Sequence, residues 1–291
     1  MDLESLRIFK AVAAELSITQ ASARLGRAPS NVTTRVQQLE ADLGVELFVR
    51  TGKRMALSMA GEHFLDYAQR MLALEEEARQ VVTGGRHGGV LHLGSMESTA
   101  ASRLPDLLAS YHAHFPATRL EVDTGPSRQL LEQVRNGRLD CAFVALAPPL
   151  DEAQALADLG LSARQVWQEE LVMLLPAGHA PVRTAKHIRI RSLAAFKQGC
   201  AYRAMAEEWL GMAGSAEWSV QEVGSYHGMV ACVAAGACVA LLPRSVLELT
   251  RMPPDLTCLS IRHAHTWLAW RTGYDTPALR NLLEQLEGIP A

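Results

Sequence analysis

The sequence lacks an excess of charge of either sign. Over 291 residues, 28 Lys and Arg stand against 31 Asp and Glu, a formal net charge of -3 at pH 7. That balance excludes a polybasic chain that holds nucleic acid by charge alone, and equally an acidic solvating chain. Any nucleic-acid contact has to be local. Long apolar runs are absent too: the longest, Met229 to Leu242, has 14 residues and contains Gly236, too short to span a bilayer and better read as buried core. The start, MDLESLRIFK, places acids before any apolar stretch and shows no small-residue cleavage site, so no secretory signal is expected. Cysteines are few: five, without CxxC spacing, a pattern that fits reduced thiols rather than a disulfide framework or structural zinc. These absences predict a soluble cytoplasmic protein with no membrane contact. No GxSxG, Walker loop, HExxH or dinucleotide glycine fingerprint occurs, so no catalytic residue, metal or cofactor is expected.

What is present is a 48% apolar composition, enough to fill two cores. Leu3, Leu6, Phe9, Val12, Ala13 and Leu16 keep a helical period, and Ser17 and Thr19 then offer cap oxygens to a second short helix, Gln20 to Leu25, closed by Gly26. In the next segment, RAPSNVTTRVQQLE, the apolar Val32, Val36 and Leu39 fall at i, i+4 and i+7, with Asn31, Thr34, Arg35 and Gln38 on the other side. Two short helices joined by a Gly-containing turn, the second with a polar outer face, make a helix-turn-helix. Strands over Val45 to Val49 and Met55 to Leu57, around the basic turn Thr51-Gly52-Lys53-Arg54, make a wing. From Ala60 to Val82 one long helix is expected, its seam (Phe64, Tyr67/Ala68, Met71, Leu74/Glu75, Ala78, Val81/Val82) reading as a dimerising connector too isolated to be buried on its own domain. TGGRHGG, Thr83 to Gly89, reads as a flexible linker.

Beyond the linker, short apolar strands alternate with helices: Val90-Leu93, a helix from Ser98 through His114, Leu120-Val122, a helix from Arg128 to Asn136, then Cys141-Val144. A second set follows with Leu171-Leu175, a helix around Met205-Leu210, Ser219-Val223, a helix across Met229-Ala235, and Val239-Leu242. This alternation favours a parallel sheet with crossover helices.

The string from Leu6 to Gly61, LRIFKAVAAELSITQASARLGRAPSNVTTRVQQLEADLGVELFVRTGKRMALSMAG, resembles the N-terminal winged helix-turn-helix of LysR-type transcriptional regulators. Phe9, Ser17, Thr19, Ala21, Leu25, Val32, Thr33, Leu39, Glu40, Leu43, Gly44, Leu47, Phe48, Arg50 and Ala60-Gly61 carry the likeness. GSMESTAASRLP, VRNGRLDCAFV, EELVMLLPAGHAP, FKQGCAYR and EVGSYHGMVACVAAGACVALLPRSVL resemble that family's effector-binding domain. The resemblance implies an α/β protein in three parts: a winged helix-turn-helix over 1–58, a dimerising helix and hinge over 59–87, and over 88–291 an effector domain of two Rossmann-like α/β subdomains, like a periplasmic binding protein. It implies promoter DNA, a small-molecule effector and a second copy of the chain (dimer or tetramer) as partners, with RNA polymerase as a further one. One departure stands out. Where the family commonly has a capping Ser followed by Gln, this chain has Ala28 and Pro29. Pro29 suits a first helical turn, but Ala28 has no cap oxygen, so either Ser30 caps a shorter helix or the cap is lost at about 1 kcal/mol.

Ser30, Asn31, Thr33, Thr34, Arg35 and Gln38 are the expected DNA contacts of the recognition helix. Arg can bond guanine O6 and N7, Asn or Gln can bond adenine N6 and N7, and Thr can meet a thymine methyl or a phosphate. Arg50, Lys53 and Arg54 in the wing suit phosphates or the minor groove. Over Ser17 to Gly61 the bases Arg24, Arg27, Arg35, Arg50, Lys53 and Arg54 face Glu40, Asp42 and Glu46, a modest excess that asks for a dimer on two half-sites.

A cleft between two α/β lobes receives helix N-termini, whose free N–H groups and dipole favour an anion. The resemblance implies Ser98, Thr99, Ser127, Tyr202 and Ser225 as effector contacts, with Arg203 next. Ser95 and Cys200 stand in the same stretches. Each can instead be a helix cap or a satisfied hydroxyl. GCAYR, Gly199 to Arg203, reads as strand and turn, and a small metabolite bearing a carboxylate or an amine fits the cleft. Glu97 favours a cationic effector if it points inward and is a first-turn acid if it points out. Two other sensing chemistries compete: a thiol sensor on Cys200, with Cys232 and Cys238 in the apolar run, and a metal sensor on His112/His114 or His263/His265.

Overall fold

Asp2 sets the start of the first helix: its carboxylate accepts the Ser5 N–H at 2.7 Å, and α1 (Leu3–Glu15) follows, burying Leu6, Ile8, Phe9 and Val12. The computed structural model describes residues 1–51, 54–83, 89–147, 153–250, 253 and 255–287, without the side chains of Arg50 and Thr51. These residues form two compact units, one built on Met1–Gly84 and one on Gly85–Arg135 with Leu139–Ala291.

In the first unit the Ser17 hydroxyl caps α2 (Ile18–Leu25), accepting the Gln20 N–H at 3.3 Å. Gly26, at φ 63°, ends it in the left-handed conformation, which glycine adopts without a Cβ clash. The recognition helix α3 spans Pro29–Leu43, with Ala28 at the cap position and no side-chain cap bond. Of the two openings allowed by the sequence, the cap is therefore lost, and Pro29 holds the first turn by its fixed φ. Val32 and Val36 pack with Ile8, Ala11, Val12 and Ala21.

The wing strands β1 (Phe48–Thr51) and β2 (Arg54–Leu57) pair antiparallel, Phe48 opposite Leu57. β1 begins three residues later than expected because Glu40 Oε1 accepts the N–H groups of Leu47 at 2.7 Å and Phe48 at 3.1 Å, which holds the preceding residues in a turn. The long helix α4 spans Met59–Thr83. Ser58 Oγ accepts the Gly61 N–H at 2.9 Å, and a Cβ on Gly61 would lie 2.0 Å from the Leu47 carbonyl oxygen. Only glycine fits there.

The expected seam of α4 is two stripes. Ala68 packs with Leu6, Phe9, Leu39 and Leu47, and Phe64, Leu65, Met71 and Leu72 join it. Tyr67, Leu74 and Val81 remain exposed. Residues three or four apart share one face of a helix, so Phe64, Ala68 and Met71 reach the domain core while the heptad-spaced Tyr67, Leu74 and Val81 form a separate row. Of the linker TGGRHGG, residues 84–88 lie outside the described residues.

The second unit contains β3 (Gly89–Ser95), α5 (Glu97–Ser102), α6 (Leu104–His114), β4 (Thr118–Thr124), α7 (Ser127–Arg135), β5 (Cys141–Ala145), α8 (Ala153–Asp158) and β6 (Leu161–Leu175). It continues through β7 (Ser192–Ala195), α9 (Ala201–Leu210), β8 (Ser219–Glu222), α10 (Tyr226–Ala234), β9 (Ala240–Pro243), α11 (Arg244–Leu249), β10 (Thr257–Arg271) and α12 (Pro277–Glu287). The single helix expected from Ser98 through His114 is broken at Arg103 (φ -117°). Pro105 explains the break: it has no N–H to give to the preceding turn, and it stands in the first turn of α6, where none is needed. Similarly, Gly199–Arg203 is not strand and turn, since Cys200 stands at the cap position of α9, without a side-chain cap bond, and Ala201 begins the helix.

One sheet runs β4-β3-β5-β10-β6-β9, and β7 and β8 form a parallel pair joined to the region of β9 by a Leu193–Val239 bridge. The expected parallel pairing holds for β4-β3-β5 and β7-β8. It fails for the 15-residue strands β6 and β10, which pair antiparallel with each other, with β5 and with β9. These two strands pass through both lobes. Their outer halves complete the first lobe around Leu93, Phe143 and Trp167, and their inner halves complete the second around Leu171, Met173, Met205 and Leu241. No helix among the described residues is long and apolar enough to cross a membrane.

Candidate nucleic-acid interface and ligand cavity

Because Val32, Val36 and Leu39 are all buried, the helical period turns Asn31, Thr34, Arg35 and Gln38 outward, and all four are exposed. Ser30 is exposed beside them in the first turn. Thr33 is half-buried, and its hydroxyl donates to the Pro29 carbonyl at 2.9 Å, so that group is engaged within its own helix. Arg35 Nη1 lies 3.2 Å from Asp2 Oδ2, and Gln38 Nε2 donates to Asp42 Oδ1 at 2.9 Å. Both ties are solvent-exposed and exchange readily for other partners. The Ser5 hydrogen bonds, and more weakly Arg35, hold the Asp2 carboxyl below its ordinary value. In the wing, Arg50 stands opposite Met55 in the ladder and Arg54 is exposed. Lys53 and the Arg50 side chain lie outside the described residues.

In the second unit a cavity of about 310 Å³ opens between the lobes, where the ends of β3 and β4 meet the starts of α5, α7, α9 and α10. Ser98, Ser127, Cys200 and Tyr202 line it as expected. The other expected contacts do not. Ser95 is fully buried and donates to the Met96 carbonyl at 3.0 Å. Thr99 is buried in α5 outside the lining. Ser225 caps α10, accepting the Gly228 N–H at 3.1 Å. Arg203, in the first turn of α9, donates to Glu207 at 2.7 Å, to Glu222 at 2.8 Å and to the Phe196 carbonyl at 3.1 Å. It is a latch within its lobe, not a free cation.

Sequence reasoning brings Gly224 to Tyr226 to the cleft but chooses neither Phe196 nor Tyr226 as a contact, and these two form its walls, their rings meeting edge to face at 4.8 Å. Tyr226 directly follows a chosen residue, Ser225, but which of two neighbours faces a cleft is set by the cap geometry, invisible in the sequence. Glu97 is exposed and does line the cavity. At the deep end, burial pushes the Tyr202 and Tyr226 phenols far up, helped by Glu169 for Tyr202 and by Cys200, Tyr202 and Glu97 for Tyr226. Ser98 stands near both phenols and slightly favours their ionised forms, yet neither the Ser98 nor the Tyr202 hydroxyl makes a hydrogen bond of normal geometry among the described residues.

The competing chemistries find little in this arrangement. Burial pushes the Cys200 thiol up, against smaller opposing effects of the Arg203 and Tyr202 N–H groups and the Arg203 charge, whereas a sensing thiol needs a lowered pKa. Cys238 is buried, its thiol donating to Gln221 Oε1 at 3.0 Å. His263 and His265 do share a strand, β10, but among the described residues no three His, Cys, Asp or Glu are grouped to hold a metal ion.

Known proteins share both halves of this design. Residues 3–62 match the family described as bacterial regulatory helix-turn-helix protein, lysR family, and residues 84–289 match the LysR substrate binding domain. The chain is 36% identical over 249 residues to the uncharacterized HTH-type transcriptional regulator YusT of Bacillus subtilis (strain 168), covering 85% of this chain and 81% of that protein. Among solved structures, a full-length OxyR variant from Pseudomonas aeruginosa aligns with a TM-score of 0.71 at 22% identity, covering 99% of this chain and 95% of that one. Full-length CbnR complexed with its target DNA aligns with a TM-score of 0.67 at 21% identity, covering 99% of each chain. At those identities the structural likeness concerns the fold.

Proposed function

The chain belongs to the LysR family of bacterial transcriptional regulators, and from that premise we propose that Asn31, Thr34, Arg35 and Gln38 read the base edges of its promoter DNA. As a member of that family it binds DNA through its helix-turn-helix and carries an effector-binding domain. The observation that carries the proposal is the outward polar face of α3, fixed by the burial of Val32, Val36 and Leu39. These four side chains have the donors and acceptors that distinguish base pairs in a major groove. Ser30, Arg50, Lys53 and Arg54 supply phosphate contacts, which position the helix and carry the salt dependence.

Tyr67, Leu74 and Val81, spaced by seven on α4 and exposed by 59%, 64% and 50%, pair with the same row of a second copy. The dimer so formed places two recognition helices on two half-sites. The effector binds in the cavity beside Ser98, Ser127 and Tyr202 and acts by preferring one DNA-bound arrangement of the protein over another. This work takes place beside the chromosome in the cytoplasm, with RNA polymerase as the downstream contact.

The test is binding of the purified protein to the DNA upstream of its own gene at two salt concentrations, beside an Asn31→Ala/Arg35→Ala variant. Sequence-selective binding that the variant loses, with its circular dichroism intact, supports recognition by this face. Equal selectivity in the variant overturns it.

A further inference from the structure

Resting on the reading of this cavity as the effector site, we propose that it takes an uncharged, largely apolar small molecule anchored by one hydrogen-bonding head group, and that it discriminates against carboxylates. The walls come first. Met96, Pro126, Phe196, Val223 and Tyr226 present thioether, ring and aliphatic surface, and at about 310 Å³ the space lies at the small end of ligand cavities. It fits a single-ring molecule.

The anchor is at the deep end. Ser98 and Tyr202 are 2% and 4% exposed, both line the cavity, and although Ser98 and Thr266 stand beside the Tyr202 phenol, neither the Ser98 nor the Tyr202 hydroxyl makes a hydrogen bond of normal geometry among the described residues. Buried hydroxyls are nearly always paired. Each can donate and accept, so a head group that does both, such as an amide or a hydroxyl, satisfies the two together.

The charges decide against an anion. Lys197, exposed at the mouth, is the only basic side chain lining the cavity among the described residues. Arg203 is already shared by Glu207 and Glu222, a group whose formal sum is one negative charge. Glu97 adds another acid to the lining. Helix ends do favour anions, but each offers only about half an elementary charge, and at α10 the Ser225 cap already takes one of the first N–H groups. Glu169, behind Tyr202, is paired with Arg103 and adds little, but Glu97 and Glu222 in the lining would disfavour the charged form of a ligand carboxyl set beside them. Thus the anion preference expected of a cleft lined by helix starts is overridden by this chain's own side chains.

The experiment uses full-length protein and matched single-ring fragments: benzamide, benzoate, benzylamine and identically substituted analogues of each, read by ligand-observed NMR. Tyr202→Phe and Ser98→Ala serve as paired variants. Since the oxygens they remove make no hydrogen bond of normal geometry within the protein, both should keep or slightly raise the Tm. The expected result is that amides bind, that matched benzoates do not compete with them, and that each variant weakens amide binding by about tenfold. Benzoates that bind in preference, and lose affinity in both variants, would overturn the charge class while leaving the cavity as effector site. Binders indifferent to both substitutions would overturn the cavity as the site, and the proposal with it. Absence of any amide binding would overturn the proposal alone if added effector extracts still alter DNA affinity through Ser98 and Tyr202.

Discussion

Glu40 and Leu47 are joined by a hydrogen bond from the Leu47 N–H to Glu40 Oε1 at 2.7 Å, and the same oxygen accepts the Phe48 N–H at 3.1 Å. One carboxylate on the recognition helix thereby fixes where the wing begins. Hydrogen bonds to a charged acceptor are stronger than neutral ones. Glu40→Ala should destabilise the DNA-binding unit by about 2 kcal/mol and weaken DNA binding with little change in base preference. Glu40→Gln should fall between. Urea unfolding followed by DNA binding of each variant measures both effects.

Gly61 allows the first turn of α4 to rest on the Leu47 carbonyl, 2.0 Å from where a Cβ would sit. The obstacle is backbone, which cannot rotate aside. Gly61→Ala should cost about 3 kcal/mol or more and lower the first thermal transition, whereas alanine at an ordinary helical glycine raises stability. An unchanged melting curve would refute this packing.

Asp2 caps α1 and also touches Arg35. Asp2→Asn keeps a capping oxygen, releases the guanidinium and removes a negative charge from the DNA-facing side. Its affinity for the operator should rise a few-fold, most visibly at low salt. Fluorescence anisotropy across a salt series would show it.

Arg244 lies 2.5 Å from Glu170 through Nε. Its hydrogen bonds, followed by one from Ser260, take the Glu170 carboxyl down to about 2. For a depressed acid, the stabilisation is present above the unfolded value, about 4.3, and is lost as pH falls through the folded value near 2. A carboxyl NMR titration of Glu170 should therefore have its midpoint near 2, rising toward the ordinary carboxylate range in Arg244→Met.

Cys258 is exposed while Cys200 is half-buried, and burial raises both thiols, so exposure sets the order. Iodoacetamide at neutral pH should label Cys258 first, and Cys200→Ser should leave the response of DNA binding to peroxide unchanged. A peroxide effect abolished by Cys200→Ser would restore the redox reading.

The DNA-binding half was legible because its signals are local. Val32, Val36 and Leu39 mark one helix face, and Ser17 and Gly26 mark helix ends. The outer half of β6 was not, because Gln165, Gln168, Glu169 and Glu170 read as solvent-facing polarity, whereas Glu169 is buried and paired with Arg103 at 2.9 Å and Ser245 at 2.7 Å. No local pattern reveals a partner 66 or 76 residues away. The same holds in the cavity. Ser98, Ser127, Cys200 and Tyr202 line it, but Arg203 and Ser225 are occupied by neighbours that only the folded chain brings near.

The paired strands β6 and β10 give the effector unit a mechanical character. Their ladder is continuous from Thr257–Leu175 to Arg271–Leu161, with irregularities only between Ser260 and Arg262 and between Thr266 and Trp267. Lobes strung on one ribbon cannot swing apart like jaws on a loose pin. A leaf spring is the nearer comparison, with the two irregular points as the places where the ladder is interrupted. On the proposed function, an effector seated between the lobes would work against this ribbon, and the signal expected of it is a small deflection rather than a wide swing.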